Sequence, residues 1–219
     1  MKAIRQNKSN KKEKILLLII FVLGWLALIT QFYFAITYRQ VSLLQTLIKF
    51  FSYFTILTNL LVAVCCTILF TGKRVLLYNF FAKPSTLTAI TVYILIVGII
   101  YNTLLRSTLH IHGIQSIDSE IFHVIVPVLF FLYWIYFVPK QNFAVIVAFV
   151  WLLYPALYVA YTFIHGLITN YYPYPFIDAY KLGFTKAIID GALILVSFFL
   201  LSIILINAKK IRNKKAIEG

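Results

Sequence analysis

At 219 residues, 62% hydrophobic and 12% charged with a mean hydropathy of +0.93, the chain has too little polar surface to cover a soluble globule and too much apolar length for one buried core. Its net charge of +14 sits mostly in the tails and in the loops of one side, a distribution that argues against a nucleic-acid-binding face. The sequence reads as an all-α polytopic membrane protein, with a basic tail at 1–14, a six-helix transmembrane domain at 15–207 and a second basic tail at 208–219.

A spanning helix needs roughly 20 predominantly apolar residues, because each residue advances about 1.5 Å through a hydrocarbon layer about 30 Å thick. The first such run, about 15–37, follows a tail carrying Lys2, Arg5, Lys8, Lys11, Lys12 and Lys14. It is too long for the apolar part of a secretory signal and shows no small-x-small cleavage pattern before Arg39, so a retained helix is expected.

The second run, about 50–71, carries Thr55, Thr58 and Asn59 at i, i+3 and i+4, which puts them on one face. With a helix start near Phe50, the two threonines are expected about 8 and 12 Å down its axis. That face is expected to look into the bundle, because lipid offers no partner for an amide. Small hydroxyl residues also mediate helix packing, so the cluster alone is open to either role. Cys65 and Cys66 are adjacent and point about 100° apart, which suits packing and not a zinc or disulfide framework.

The third run, about 86–108, ends with Asn102 and Arg106, and the following loop, 109–121, carries His110, His112, Asp118 and Glu120. A metal reading would join His110, His112 and His123 to one of those acids, but His-x-His in a loop sets no ligand geometry. No metal or other cofactor is expected. The fourth and shortest run, about 122–138, places His123 in its first turn and Pro127 four residues later. Proline has no N–H, so the carbonyl of His123 is expected to lose its helical partner and the helix to open beside the imidazole.

The fifth run, about 143–165, ends at His165, and the sixth, about 184–207, holds Asp190 two turns in. Between them lies Tyr171-Tyr172-Pro173-Tyr174-Pro175-Phe176-Ile177-Asp178. Its prolines stiffen it and its rings suit the headgroup level, so it reads either as an interfacial belt or as a lid over a site. Fifteen of the twenty basic residues fall in the two tails and the 2–3 and 4–5 loops, which puts both termini in the cytoplasm by the positive-inside bias. The basic tails also attract anionic headgroups, at about 1 kcal/mol per near-surface charge.

Ionisable groups within a bilayer cost several kcal/mol unless paired or wetted, so Arg106, His123, His165 and Asp190 at one depth point to a shared polar cavity. An Arg106–Asp190 pair would neutralise both residues. A hydroxyl, an imidazole and an amide at that depth are the parts of an acyl-transfer site: a nucleophile, a base in the right titration range, and an oxyanion donor supplied by Asn59 or by the backbone opened at Pro127.

Four short motifs share an order with a known family: Ser52-Tyr53-Phe54-Thr55, Tyr101-Asn102-x-Leu104-Leu105-Arg106, His123 with a proline one turn on, and Tyr174-Pro175-Phe176. Over about 50–178 the chain resembles the androgen-induced integral membrane hydrolases, which include the androgen-dependent TFPI-regulating protein, and a bacterial six-span branch related to them. The resemblance implies a threonine hydrolase of fatty acid esters in a bacterial plasma membrane, with Thr55 as nucleophile and His123 as base. Thr58, Asn59, Asn102, Arg106, His165, Tyr174 and Asp190 are the expected supporting residues. The animal pattern sets an acid or amide three residues after its threonine, whereas Asn59 follows Thr55 by four and Thr58 by one, so Thr58 competes as nucleophile.

Together these features favour a hydrolase of lipid esters with an outward-facing pocket. The expected partners are membrane lipids and a hydrophobic small-molecule substrate or ligand, and no nucleic acid. The alternative is a non-catalytic lipid or small-molecule binding protein or a transporter; for a transporter, the cytoplasmic halves of the helices are nearly bare of ionisable groups.

Overall fold

The computed structural model describes residues 10–109 and 112–214, with side chains as far as Ala208. His110, the outermost residues of both tails and their basic side chains lie outside this description. Every regular element among the described residues is helical, and six helical stretches are long and apolar enough to cross a membrane. The protein is a polytopic membrane bundle.

Asn10 caps α1 (Lys11–Thr37) by accepting the Lys12 N–H at 3.1 Å. The segment after it, expected as a loop, instead folds into α2 (Leu43–Phe51), because Ser42 and Gln45 form a reciprocal capping box. Thr46 and Phe50 face inward from α2, while Leu43, Leu44, Ile48 and Phe51 remain exposed. The chain then breaks. Ser52 turns its hydroxyl back to the Lys49 carbonyl at 2.7 Å, and Tyr53 is extended, so the second span is α3 (Phe54–Thr71) and not a run from residue 50. Thr55 therefore lies in the first turn of its helix, and Thr58 one turn further, both shallower than a start at Phe50 would put them.

A short α4 (Tyr78–Phe81) leads to α5 (Pro84–Ile100), which opens on proline at a position where no N–H is needed. α5 is the most enclosed helix, with an unbroken buried stretch from Leu87 to Ile94. It runs into a π turn, Tyr101–Leu105, closed by Arg106 N–H to the Tyr101 carbonyl at 2.8 Å. The fourth span begins at Ile114, earlier than its apolar run suggests: α6 (Ile114–Glu120), a second π turn (Ile121–Ile125) and α7 (Val126–Phe137) form one continuous helix. Asp118 and Glu120 make that first turn look like loop, yet Asp118 is buried. α8 (Ile146–Thr169) ends at Asn170 in the left-handed conformation, and α9 (Ala179–Leu182) precedes the last span, α10 (Phe184–Lys214).

α1, α3, α5 and α7 pack in a closed ring, and the α8–α10 pair docks on it through α5. Gly24 of α1 packs on Ala63 of α3, whose Cβ would stand 3.4 Å from a Cβ added at the glycine. All three tryptophans tie helices together through indole N–H donors: Trp25 to Thr67, Trp134 to Thr88 and Trp151 to Ser85, at 3.0, 2.9 and 3.1 Å. Cys65 and Cys66 are unbridged thiols inside the core. Six crossings leave the start of α1 and the end of α10 at one face, and the α2, α6 and 171–177 segments at the other.

Candidate functional site

The site is built where the two π turns meet. Val126 gives its N–H to the Ile121 carbonyl, so the Phe122 carbonyl loses its α-helical donor, and its donor in the wider register would be Pro127. The His123 carbonyl loses Pro127 as its donor in the ordinary register. Two adjacent carbonyls are thus released, and two amides receive them: Asn59 donates to Phe122 at 3.4 Å and Asn102 to His123 at 3.3 Å. Gly98 completes the fit, since a Cβ there would stand 2.8 Å from the His123 carbonyl oxygen. The opened backbone expected at Pro127 is real, but it presents acceptors, and both are filled from neighbouring helices.

The imidazole is fixed on three sides. Nδ1 lies 2.8 Å from the Ser119 carbonyl, which can only accept, so Nδ1 carries the proton and Nε2 has the lone pair. The Tyr101 ring stacks on the imidazole with centroids 3.7 Å apart and planes 13° from parallel. Ser119 donates its hydroxyl to Tyr101 at 2.8 Å, joining the two supports. Nε2 points at Thr55, whose Oγ1 is 3.5 Å away.

Thr55 is held from its other side by Tyr174. The phenol oxygen lies 3.2 Å from Thr55 Oγ1 and accepts the Thr55 N–H at 3.1 Å, which caps a helix start that has no side-chain cap of its own. Burial pushes the Tyr174 phenol up to about 12, partly offset by its hydrogen bonds to Thr55, so it remains a proton donor at neutral pH. The directions compose into one chain: Tyr174 O–H to Thr55 Oγ1, Thr55 O–H to His123 Nε2, His123 Nδ1–H to Ser119. Tyr53 packs edge-on against Tyr174 and receives a hydrogen bond from Tyr171 at 2.8 Å, so the 171–177 segment is fastened across the start of α3. Burial together with that bond to Tyr53 raises the Tyr171 phenol as well. Gly166 leaves the space that the Tyr172 ring fills; a Cβ would lie 2.2 Å from it.

Thr55 and His123 open into a cavity of about 540 Å³ whose walls come from α1, α2, α3, the two π turns and Tyr171, Pro173, Tyr174 and Pro175. A smaller cavity of about 50 Å³ lies behind Thr55, Tyr101, Leu105 and Tyr174, among Ile96, Val97, Val159, Ile194 and Phe198.

The structure separates the expected site residues. Thr55, His123 and Tyr174 converge; Asn59 and Asn102 position the His123 backbone. Asn59 also donates to the Thr55 carbonyl at 2.9 Å, so its N–H donors are taken and the residue is fully buried; the side-chain donor beside the Thr55 hydroxyl is the phenol of Tyr174. Thr58 is buried against Tyr154, 3.4 Å from its phenol, and does not line the cavity. The expected Arg106–Asp190 pair does not form. Arg106 meets Glu120 across the ends of the third and fourth spans, and Asp190 meets Lys186 at 3.0 Å one turn back on its own helix. His165 stacks on Tyr161 behind Tyr171, with Nε2 buried and unpartnered, outside the cavity. Sequence reasoning missed Ser119 and Gly98, and it quoted Tyr101 only as part of a motif and not as the ring that stacks on the imidazole. Ser119 stands one helical turn before His123, and Gly98 one turn before Asn102, a spacing that becomes informative once the spans continue through both positions.

No family model, curated protein or solved structure matches the chain.

Proposed function

We propose that this protein is an integral membrane hydrolase of lipid esters, with Thr55 as nucleophile and His123 as base in an outward-facing pocket. The observation that carries the reading is the Nδ1–H bond from His123 to Ser119, which leaves Nε2 unprotonated and aimed at the Thr55 hydroxyl. The separation of 3.5 Å is loose, as apo sites often are before substrate draws the groups together.

In the first half-reaction Thr55 Oγ bonds to the ester carbonyl carbon as its proton passes to Nε2. Tyr174 O–H would donate to the developing oxyanion, with the positive end of the α3 dipole beside it. The carbonyl–oxygen bond then breaks, and the leaving alcohol takes the proton from His123. Water reverses the sequence: it gives a proton to Nε2, bonds to the acyl carbon, and Thr55 departs reprotonated. The motif resemblance to the androgen-induced hydrolases supports the same pair of residues, and the distribution of basic residues supports an outward site in a plasma membrane.

One observation favours a second reading, a non-catalytic lipid-binding protein or transporter. His123 is buttressed by a main-chain carbonyl, and among the described residues no carboxylate is hydrogen-bonded to it to support its protonated form. A fluorophosphonate probe separates the two. Wild-type protein is expected to be labelled, Thr55→Ala and His123→Ala to lose labelling while remaining monodisperse in detergent, and Thr58→Ala to keep it. Labelling that survives Thr55→Ala and disappears in Thr58→Ala would move the nucleophile; an unlabelled wild type that hydrolyses no lipid ester would leave the binding protein.

A further inference from the structure

Five basic residues stand at the site end of the bundle: Arg39, Lys49, Arg106, Lys181 and Lys186. Three of them have an acid: Arg106 with Glu120, Lys181 with Asp178, Lys186 with Asp190. Among the described residues Arg39 and Lys49 have none, and these two line the 540 Å³ cavity, whose walls include no carboxylate. Arg39 makes one hydrogen bond, from Nη1 to the Ile36 carbonyl at 2.8 Å, leaving most of its guanidinium donors for a ligand. Lys49 lies over the Tyr171 ring at 4.9 Å, held beside the cavity without being neutralised. Gln31, Gln40 and Gln115 add neutral polar groups to the same walls.

The opposite side of Thr55 has the contrary character. The smaller cavity shares Thr55, Tyr101, Leu105 and Tyr174 with the larger one, and its remaining walls are almost wholly hydrocarbon and aromatic ring. The hydroxyl therefore stands between a cationic chamber and an apolar one. A molecule with an anion at one end, a hydrocarbon chain at the other and an ester between them matches that order.

We infer that the substrate is a glycerophospholipid-type ester whose phosphate is bound by Arg39 and Lys49 in the larger cavity, so that its ester carbonyl stands at Thr55 with the first carbons of the acyl chain turned toward the small apolar cavity behind Tyr174. Phosphate fits two cations, one from the turn after α1 and one from α2, because its oxygens accept from both at once. This inference rests on the proposed hydrolase reading for its chemistry, but the binding it requires is measurable without turnover.

The test is the affinity of purified Thr55→Ala protein in detergent for dihexanoyl phosphatidic acid and for dihexanoylglycerol, which differ only in the phosphate, measured by native mass spectrometry. The phosphatidic acid is expected to bind at least about tenfold more tightly, and Arg39→Gln or Lys49→Gln to remove about tenfold each, the size of one charge-assisted contact. The neutral lipid is expected to be indifferent to both substitutions. Val97→Phe, which fills the apolar cavity from α5, is expected to weaken both lipids alike. Equal binding of the two lipids, or no effect of either cation substitution, overturns the inference. Inorganic phosphate binding as tightly with the same dependence would make the chamber a site for the free ion, and hexanoate doing so would make it a carboxylate site; either overturns the assignment to a phospholipid. The hydrolase reading fails separately, by an unlabelled wild type that binds phosphatidic acid as stated.

Discussion

The side-chain amide of Asn102 donates to the backbone carbonyl of His123 at 3.3 Å, the carbonyl that Pro127 deprives of its helical donor. The same amide donates to the Gly98 carbonyl at 2.8 Å one turn below, so a single side chain joins the end of the third span to the opened turn of the fourth. The base is consequently placed by its backbone as much as by its ring.

Replacing Asn102 with Ala should remove both bonds and leave the His123 carbonyl short of a partner, a loss of about 0.5–1.5 kcal/mol per bond. The expected outcome is a lower unfolding temperature in detergent together with slower fluorophosphonate labelling. Gly98→Ala should act on the same carbonyl by steric displacement. If Asn102→Ala unfolds like wild type and is labelled at the wild-type rate, the π-turn bridge does not position the base.

Much of this was legible in the sequence, but unevenly. The six spans follow from hydropathy alone, because twenty apolar residues in a row have few alternatives. The meeting of Thr55 with His123 follows from both helices beginning at the same face. The ion pairs did not follow: Asp190 has a lysine one turn away on its own helix, and a local partner at i−4 takes precedence over a distant arginine at equal depth. The π turns were also beyond reach, since a register of five and a register of four have the same composition. Pro127 signalled a released carbonyl, but not that two would be released or that amides from α3 and the end of the third span would meet them.

Gly166→Ala tests the fastening of the 171–177 segment. A methyl group on this buried face of α8 meets the Tyr172 ring at 2.2 Å, and since several ring atoms lie within 3 Å, the ring has to leave. Tyr172 and Tyr174 are separated only by Pro173, so displacement of one should loosen the other from Thr55. The measurement is limited proteolysis of the segment alongside labelling. Faster cleavage with reduced labelling is expected, and wild-type behaviour in both would show that the segment adjusts without moving Tyr174.

Tyr174→Phe removes one hydroxyl and leaves the ring packing against Tyr53 and Phe176 in place. If the phenol donates to the developing oxyanion, the turnover of a model ester should fall by roughly 10²–10³-fold with little change in KM, the behaviour of an oxyanion donor. Because burial holds the phenol up to about 12, wild type should show no loss of rate from Tyr174 ionisation across the neutral and mildly alkaline range. A KM effect with unchanged turnover would instead assign Tyr174 to substrate binding.

The orientation of the bundle is open to a direct measurement, and the protein is well suited to it. Cys65 and Cys66 are fully buried in the core, so the native chain should be silent to a membrane-impermeant maleimide. Thr108 and Asn142 are exposed at opposite ends, on the segments that follow the third and fourth spans. Both are better sites for an introduced cysteine than Gly113 or Gly72, whose positive φ angles of 66° and 85° would strain any side chain. If the fifteen-to-five division of basic residues orients the bundle with its site end outside, Thr108→Cys should react in intact cells and Asn142→Cys only after the membrane is permeabilised. The opposite pattern would leave the geometry of Thr55, His123 and Tyr174 untouched but turn the pocket to the cytoplasmic leaflet. The lipids offered to it would then be those of the inner face.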